Sequence, residues 1–211
     1  MKKTLVAIGG SIVKGTYTGE NDKSPMSIAH PNFAEIVCKE LGFDELLNYG
    51  QNGVCISPFK GPFPKDATLR KFDFAEAGDA LIIMGGSNDY AASIPIGKPT
   101  DRTESTFMGS IRLLFEKVAK IYPKEKVCVV NSIRRRVDGE NEVGATLADY
   151  RAAFGRLISE FGFIEVSGPD IPMDPHDPEH REKFLRDGLH PNVEGHRILA
   201  DVIISKVKDT F

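Results

Sequence analysis

Five short apolar runs, separated by segments of helical character, are the feature that most limits the folds open to this chain. The runs lie at residues 4–8, 45–49, 79–84, 126–131 and 163–166. The first of them is continuously apolar from Leu5 to Ile8, as expected for a strand buried on both faces. Helical patterns cover residues 30–42, 104–122, 146–161 and 192–207. This alternation predicts a parallel sheet covered by helices on both of its faces.

Length and composition are those of one globular domain, predicted to span residues 1–211. The hydrophobic share of 41% and the charged share of 27% exclude disordered and fibrous classes. A formal net charge of −3 gives no general attraction for nucleic acid or for an anionic membrane surface. No apolar run is long enough to span a membrane. The sequence carries no signal for a particular oligomeric state.

The amino-terminal segment predicts a cytoplasmic protein without a leader. Two lysines precede an apolar stretch that is too short for a signal peptide and runs directly into Gly9 and Gly10. The three cysteines are odd in number and widely spaced, which favours reduced thiols over a disulfide framework. They are Cys38, Cys55 and Cys128.

Polar residues and glycines follow several of the predicted strands. Ser11 follows the first run, Gly53 the second and Asn88 the third, while His190 lies beyond the fifth. Because the carboxyl ends of parallel strands share one edge of the sheet, these residues are expected on the same edge. Two loops that leave this edge, residues 56–72 and 91–103, are expected to form the walls or lid of a pocket.

Ser11 and the segment Asp187-Gly-Leu-His190 together provide the groups needed for nucleophilic catalysis. A serine hydroxyl becomes a good nucleophile when an imidazole takes its proton and a carboxylate holds that imidazole. Glycine at 188 permits the tight turn that would bring the Asp187 carboxylate to the His190 ring. Acyl transfer also needs donors for the oxyanion, and the candidates are the N–H groups of Ser11 and Gly53 and the side-chain amide of Asn88.

These four blocks together resemble the SGNH hydrolases, also called GDSL-like esterases and lipases. The resemblance covers residues 9 to about 200 and includes Pro191, Asn192 and Gly195 after the Asp-x-x-His block. It implies a flavodoxin-like three-layer α/β/α sandwich around a mainly five-stranded parallel sheet. It also implies a serine esterase with the triad Ser11, His190 and Asp187, a small-molecule ester substrate and no cofactor or metal.

Within that resemblance, short-chain or carbohydrate acetyl esters are the favoured substrates, because no long apolar stretch suggests an acyl tunnel. Lysophospholipids and thioesters are the alternatives. The chain departs from the family at Gly10, where an aspartate is usual, and this change predicts a looser loop before the serine.

Other interpretations stay open at this point. Taken alone, Ser11 suits the cap of a helix, Gly53 and Asn88 suit turns, and His190 suits a packed core; the four blocks together favour the catalytic roles. Asp89 is expected to be structural. A non-catalytic binder of a small molecule or carbohydrate and a flavodoxin-like cofactor protein have the same architecture. Gly10 to Thr16 lacks the lysine position of a phosphate-binding loop.

The carboxyl-terminal third raises two further hypotheses. A metal site is disfavoured because prolines 175 and 178 prevent His176 and His180 from sharing one helix face; Asp177 and Pro178 are expected to begin a helix instead. Arg134, Arg135 and Arg136 follow the fourth strand near the predicted active edge. They are either a solvated loop or contacts for an anionic substrate.

Overall fold

In the computed structural model, which describes residues 2–19, 26–58, 72 and 78–211, five parallel strands form a central sheet. These strands are β1 (Thr4–Gly9), β4 (Glu45–Gly50), β5 (Ala80–Met84), β6 (Val127–Val130) and β7 (Ile164–Val166). Two further strands, β2 (Thr16–Tyr17) and β3 (Ser27–Ile28), pair with each other in an antiparallel hairpin that the sequence patterns did not indicate. Each predicted strand is found within about one residue of its apolar run.

Helices cover both faces of the sheet, which gives the predicted three-layer α/β/α fold. They are α1 (Ser11–Lys14), α2 (Phe33–Glu40), α3 (Ser87–Ala91), α4 (Phe107–Val118), α5 (Leu147–Phe161), α6 (Pro178–Phe184) and α7 (Val193–Val207). None of the helices in the described ranges is long and apolar enough to cross a membrane.

Alternate side chains of β1 enter two separate cores. Val6 and Ile8 pack on the side of α4 and α5, whereas Leu5 and Ala7 pack on the side of α2 and α7. All four are fully buried, which is why this strand reads as continuously apolar rather than alternating. Burial of each larger aliphatic side chain contributes about 1.5–3 kcal/mol.

The sheet order is β4-β1-β5-β6-β7, and all of its strand pairs are parallel. The chain therefore places β4 on one side of β1 and then crosses over to place β5 on the other. Such a reversal opens a crevice at the carboxyl end of the central strand, where ligands bind in doubly wound sheets. The loop after β1 lies at this point.

Side-chain caps set the helix boundaries and correct two of the expected ones. Helix α2 begins after Asn32, whose side chain accepts hydrogen bonds from two backbone N–H groups, and the Glu35 carboxylate accepts the Asn32 backbone N–H. The helix therefore starts two residues beyond Pro31. Helix α4 begins after the cap residue Thr106 and ends at Val118, so it is shorter than the predicted 104–122. Asp177 caps α6 with Pro178 as its first residue, as expected.

The cysteines are free thiols, and two of them are buried. Burial raises the pKa of the Cys128 thiol to about 12 and raises that of Cys55 further, with a smaller contribution to Cys55 from the Asp89 carboxylate. Neither thiol is ionised near neutral pH, so neither is an effective nucleophile.

His196 is fully buried in the first turn of α7, stacked on the Phe33 ring at a centroid distance of 5.9 Å. Its Nδ1 accepts the Phe33 backbone N–H at 3.2 Å, and no partner for Nε2 lies among the described residues. Burial, with a smaller contribution from His190, lowers the pKa of His196 to about 4. The folded protein therefore holds this ring neutral where the unfolded chain would protonate it.

We expect this histidine to make the protein less stable in mild acid. Because the pKa of His196 is lowered in the folded protein, its contribution to the free energy of unfolding is complete above pH ~6.5 and is lost as the pH falls toward about 4. The loss amounts to up to about 3 kcal/mol. Urea unfolding at several pH values would measure this slope. A His196→Gln variant is expected to show a flatter dependence over that window, and an unchanged slope would contradict the assignment.

Candidate active site

Glycines position Ser11 at the carboxyl end of β1. Gly9 has φ +155°, and a Cβ there would lie 2.2 Å from the Met84 carbonyl oxygen, so only glycine fits. Gly10 is the N-cap residue of α1 and Ser11 is the first residue of that helix, so Ser11 is not the cap. Its Oγ instead lies 2.7 Å from Nε2 of His190.

Asp187 and His190 lie together in the turn before α7. His190 Nδ1 lies 2.6 Å from Oδ2 of Asp187, and Oδ1 of the same carboxylate accepts the backbone N–H groups of Leu189 and His190 at 2.9 and 2.8 Å. The turn depends on Gly188, which has φ +78°. A Cβ at this glycine would lie 2.6 Å from Arg136 Cβ, so both conformation and space require glycine.

The hydrogen bonds at Asp187 determine its charge and the tautomer of His190. Burial opposes ionisation, but the bonds from the His190 ring and backbone outweigh it and lower the pKa of Asp187 to about 2. An ionised carboxylate only accepts, so His190 Nδ1 must carry the proton that points at it. Nε2 is then free to accept the proton of the Ser11 hydroxyl.

A fourth side chain, which sequence reasoning missed, completes the bonding of this carboxylate. Thr18, just after β2, donates its hydroxyl to Oδ2 of Asp187 at 3.0 Å. The two residues are 169 positions apart, and the strand before Thr18 has only two residues. Neither a motif nor a periodic pattern in the sequence marks this contact.

Asn88 lies beside the serine at the start of α3. Its Nδ2 donates to the Val54 carbonyl at 2.8 Å, which fixes the amide and leaves its second N–H available. A Cβ at residue 10 would lie 3.2 Å from this nitrogen, so Gly10 makes room for the amide. The backbone of Gly10 is extended and ordinary, with φ −83°. The family departure at Gly10 therefore leaves space for Asn88, and the looser loop stays a prediction.

The residues that line the cleft include Ser11 and Asn88 but not Gly53. The cleft is bordered in the described residues by Gly10, Ser11, Ile12, Val54, Met84, Gly85, Gly86, Ser87, Asn88, Ser132, Ile133 and Leu189. Gly53 directly precedes Val54 and has φ +71°, a conformation that suits the turn after β4. Its backbone N–H therefore stays a predicted donor.

Asp89 has the structural role expected for it. It is fully buried and accepts the backbone N–H groups of Ile56 and Ser57 at 2.9 and 2.8 Å, tying the loop after β4 to α3. Burial raises the pKa of Asp89, and these hydrogen bonds only partly oppose the rise. The same tie holds Val54 near Asn88.

The two loops predicted as pocket walls have different outcomes. Of residues 56–72, positions 59–71 lie outside the described residues. The 91–103 loop was wrongly expected at the cleft, because it packs against helices instead. Ile94 is almost fully buried, its carbonyl accepts from Tyr150, and Arg112 donates to the Pro99 carbonyl. These contacts hold the loop over α4 and α5.

The three consecutive arginines have three different environments. Arg134 forms an ion pair with Asp174 at 3.7 Å. Arg135 donates from Nη1 to the carbonyl and hydroxyl of Ser87 at 3.1 and 3.3 Å. Arg136 is exposed, and its backbone N–H donates to the Gly188 carbonyl at 2.8 Å. Only Arg135 contacts a residue that lines the cleft.

The histidines considered for a metal site are separated from one another. His176 lies 3.1 Å from Asp138, and His180 Nδ1 accepts the Asp174 backbone N–H. Over residues 2–19, 26–58, 72 and 78–211, no group of three or more metal-ligating side chains converges.

Comparisons with known proteins identify the family and the fold. The model of the GDSL-like Lipase/Acylhydrolase family matches residues 7–198. No curated protein matches the sequence. Among solved structures, a protein from Lactobacillus plantarum is 24% identical with a TM-score of 0.83, and the alignment covers 100% of this chain and 98% of that one. The native M. smegmatis aryl esterase is 19% identical with a TM-score of 0.72, covering 99% and 100%. At these identities the structural likeness shows the fold.

Proposed function

The chain belongs to the GDSL-like lipase/acylhydrolase family and is a hydrolase of ester bonds, and on this premise we propose that it is a serine esterase. Ser11 is the nucleophile, His190 the general base and Asp187 the residue that orients the imidazole. The observation that carries the proposal is the 2.7 Å contact between Ser11 Oγ and His190 Nε2, together with the 2.6 Å contact between His190 Nδ1 and Asp187 Oδ2. Residues almost at opposite ends of the sequence meet in one cleft.

The proposed reaction follows from the hydrogen bonds that join Ser11, His190 and Asp187. Ser11 Oγ attacks the ester carbonyl carbon while His190 Nε2 takes the hydroxyl proton. The ionised Asp187 stabilises the resulting imidazolium, because its low pKa keeps it charged throughout the neutral range. His190 then protonates the departing alcohol, and a water activated by the same ring releases the acid from Ser11.

Three donors are proposed for the oxyanion: the Ser11 N–H, the free N–H of the Asn88 amide and the Gly53 N–H. Ser11 begins α1, so its backbone N–H has no partner within that helix. The Asn88 amide is held by Val54, which limits its rotation and prepares it to donate. A single well-placed donor contributes about 3 kcal/mol to such a reaction.

A small acyl group fits the cleft best. The described part of the cleft is bordered closely by Ile12, Val54, Ile133 and Leu189, and these apolar side chains suit a small acyl group. We therefore propose short-chain esters, with acetyl esters of carbohydrates or aryl alcohols as the first to test. Lysophospholipids and thioesters are the alternatives within the same chemistry.

A fluorophosphonate probe tests the proposed function directly. It should add to Ser11 in the native protein, and peptide mass mapping would locate the adduct. The Ser11→Ala protein, checked for folding by circular dichroism, should stay unlabelled. A folded native protein that neither reacts with the probe nor hydrolyses any activated acetyl ester would contradict the proposal. A panel of p-nitrophenyl esters of increasing chain length would then define the acyl preference.

We expect Thr18→Val to lower kcat about fivefold without a large change in KM. The substitution removes the hydroxyl that donates to Oδ2 of Asp187 and keeps a similar volume. Loss of one partly exposed bond to a charged group corresponds to about 1 kcal/mol in the transition state. Thr18→Ser keeps the hydroxyl and should restore most of the rate. Equal losses of kcat in Thr18→Val and Thr18→Ser would show that Thr18 acts through packing rather than through its hydrogen bond to Asp187.

A further inference from the structure

Arg135 is a partly buried cation without a close counter-charge. Its Nη1 donates to Ser87, its Nε is buried without a partner, and no carboxylate of the described residues lies within hydrogen-bonding range of the guanidinium. The carboxylates of Asp138 and Asp187 act on it only from a longer range, and burial lowers the pKa of its guanidinium. The Tyr90 ring, whose centroid lies 5.4 Å from the Arg135 Cζ, compensates part of this charge, and a bound anion would compensate the rest.

The position of Arg135 connects the cleft to a second depression. Ser87, which it holds, lines the cleft together with Ser11. Arg135 itself lines a second depression with Arg136, Asp187 and Leu189, and Leu189 also lines the cleft. A molecule whose ester group lies at Ser11 therefore reaches Arg135 by passing Leu189.

The side of the cleft on which Arg135 lies identifies the part of the substrate that reaches it. The leaving oxygen must come within hydrogen-bonding distance of His190 Nε2 in order to be protonated. The second depression is bordered by the turn that carries His190, since Asp187, Gly188 and Leu189 precede that residue directly. The alcohol part of the ester, rather than the acyl part, extends in this direction.

We propose that Arg135 binds a carboxylate or phosphate group on the alcohol part of the ester, so that the enzyme prefers anionic substrates. This inference depends on the proposed esterase function. A guanidinium suits such a group because it can donate two parallel hydrogen bonds to it. Arg134 is already paired with Asp174, and Arg136 borders the same depression but is exposed to water. The role is assigned to Arg135 because it also contacts Ser87, which lines the cleft.

Two matched acetyl esters test the preference by turnover. Ser11 displaces 4-hydroxybenzoate from 4-acetoxybenzoate, and water then releases acetate. The methyl ester of the same compound undergoes the same acetyl transfer, with methyl 4-hydroxybenzoate as the leaving group, but lacks the charge. We expect Arg135→Gln to lower kcat/KM for the anionic ester about tenfold more than for the neutral one. Arg135→Lys should recover part of this difference. Arg156→Gln, on the exposed face of α5, removes the same charge far from the cleft and should affect both esters equally.

Binding to a catalytically inactive protein separates this inference from the proposed function. In the Ser11→Ala background, calorimetric titration should show about tenfold weaker binding of 4-acetoxybenzoate when Arg135→Gln is added, with no such loss for the methyl ester. If the native protein hydrolyses neither ester but this difference in binding is found, the esterase proposal fails and the anion site stands. Equal effects of Arg135→Gln on both esters, in turnover and in binding, would overturn the anion site and leave a structural role through Ser87.

Discussion

Ser11→Ala is expected to lower kcat for an activated acetyl ester by about 10⁴-fold or more. The substitution removes the only atom that His190 Nε2 contacts in the cleft among the described residues, and with it the covalent route. Proposed oxyanion donors remain, because the Ser11 N–H belongs to the backbone and Asn88 is held independently by Val54. A small residual rate above that of water is therefore expected. Burst and steady-state measurements with p-nitrophenyl acetate would determine both the loss of kcat and the residual rate.

Stability separates this loss of chemistry from a loss of structure. Ser11 is half-buried at the start of a short helix, and alanine is compatible with that backbone. The melting temperature should therefore change little. A folded Ser11→Ala protein that retained more than a tenth of the native rate would exclude Ser11 as the nucleophile.

Asp187→Asn is expected to lower kcat by about 10³–10⁴-fold although it preserves shape. The introduced amide can keep its oxygen on the backbone N–H groups of Leu189 and His190, which Oδ1 of Asp187 now accepts. Its NH₂ group then faces His190 Nδ1, which must become an acceptor. The ring proton moves to Nε2 and points at Ser11, so the imidazole can no longer take the hydroxyl proton.

The matched control for Asp187→Asn is Asp138→Asn. Asp138 lies 3.1 Å from His176 in a second aspartate–histidine pair, which is more exposed and does not line the cleft. This variant should keep nearly the full rate. The pH dependence of kcat/KM and the melting temperature, measured for both variants, would show whether the loss of kcat in Asp187→Asn comes from the changed tautomer of His190 or from a loss of stability. Comparable losses in both would contradict the assignment of Asp187.

The sequence was sufficient to predict the sheet and the meeting of Ser11 with His190. Strand β1 is buried on both faces, so its apolar run indicates a central strand. Parallel strands bring their carboxyl ends to one edge of the sheet, whatever segments connect them. The Asp187–His190 pair could also be predicted, because a three-residue turn with a glycine places both groups within reach. In each case the physical cause is local or follows from the repeat of strands and helices.

The parts that could not be predicted depend on contacts between distant loops. Thr18 lies after a two-residue strand, too short to leave a periodic pattern, and its partner is 169 residues away. The 91–103 loop was expected at the cleft from its composition, but Arg112, from α4, holds it elsewhere. The different environments of three adjacent arginines likewise arise from tertiary packing alone. Nothing in the run of identical residues distinguishes Arg135.

The separation of the contacting segments along the chain has a consequence for folding. Ser11 and His190 are 179 positions apart, and β1 must pair with β4 and β5 in the sheet that brings them together. Under the proposed function, the nucleophile therefore has no base until the turn from Asp187 to His190 has docked. A chain truncated before that turn is expected to lack ester cleavage by this route.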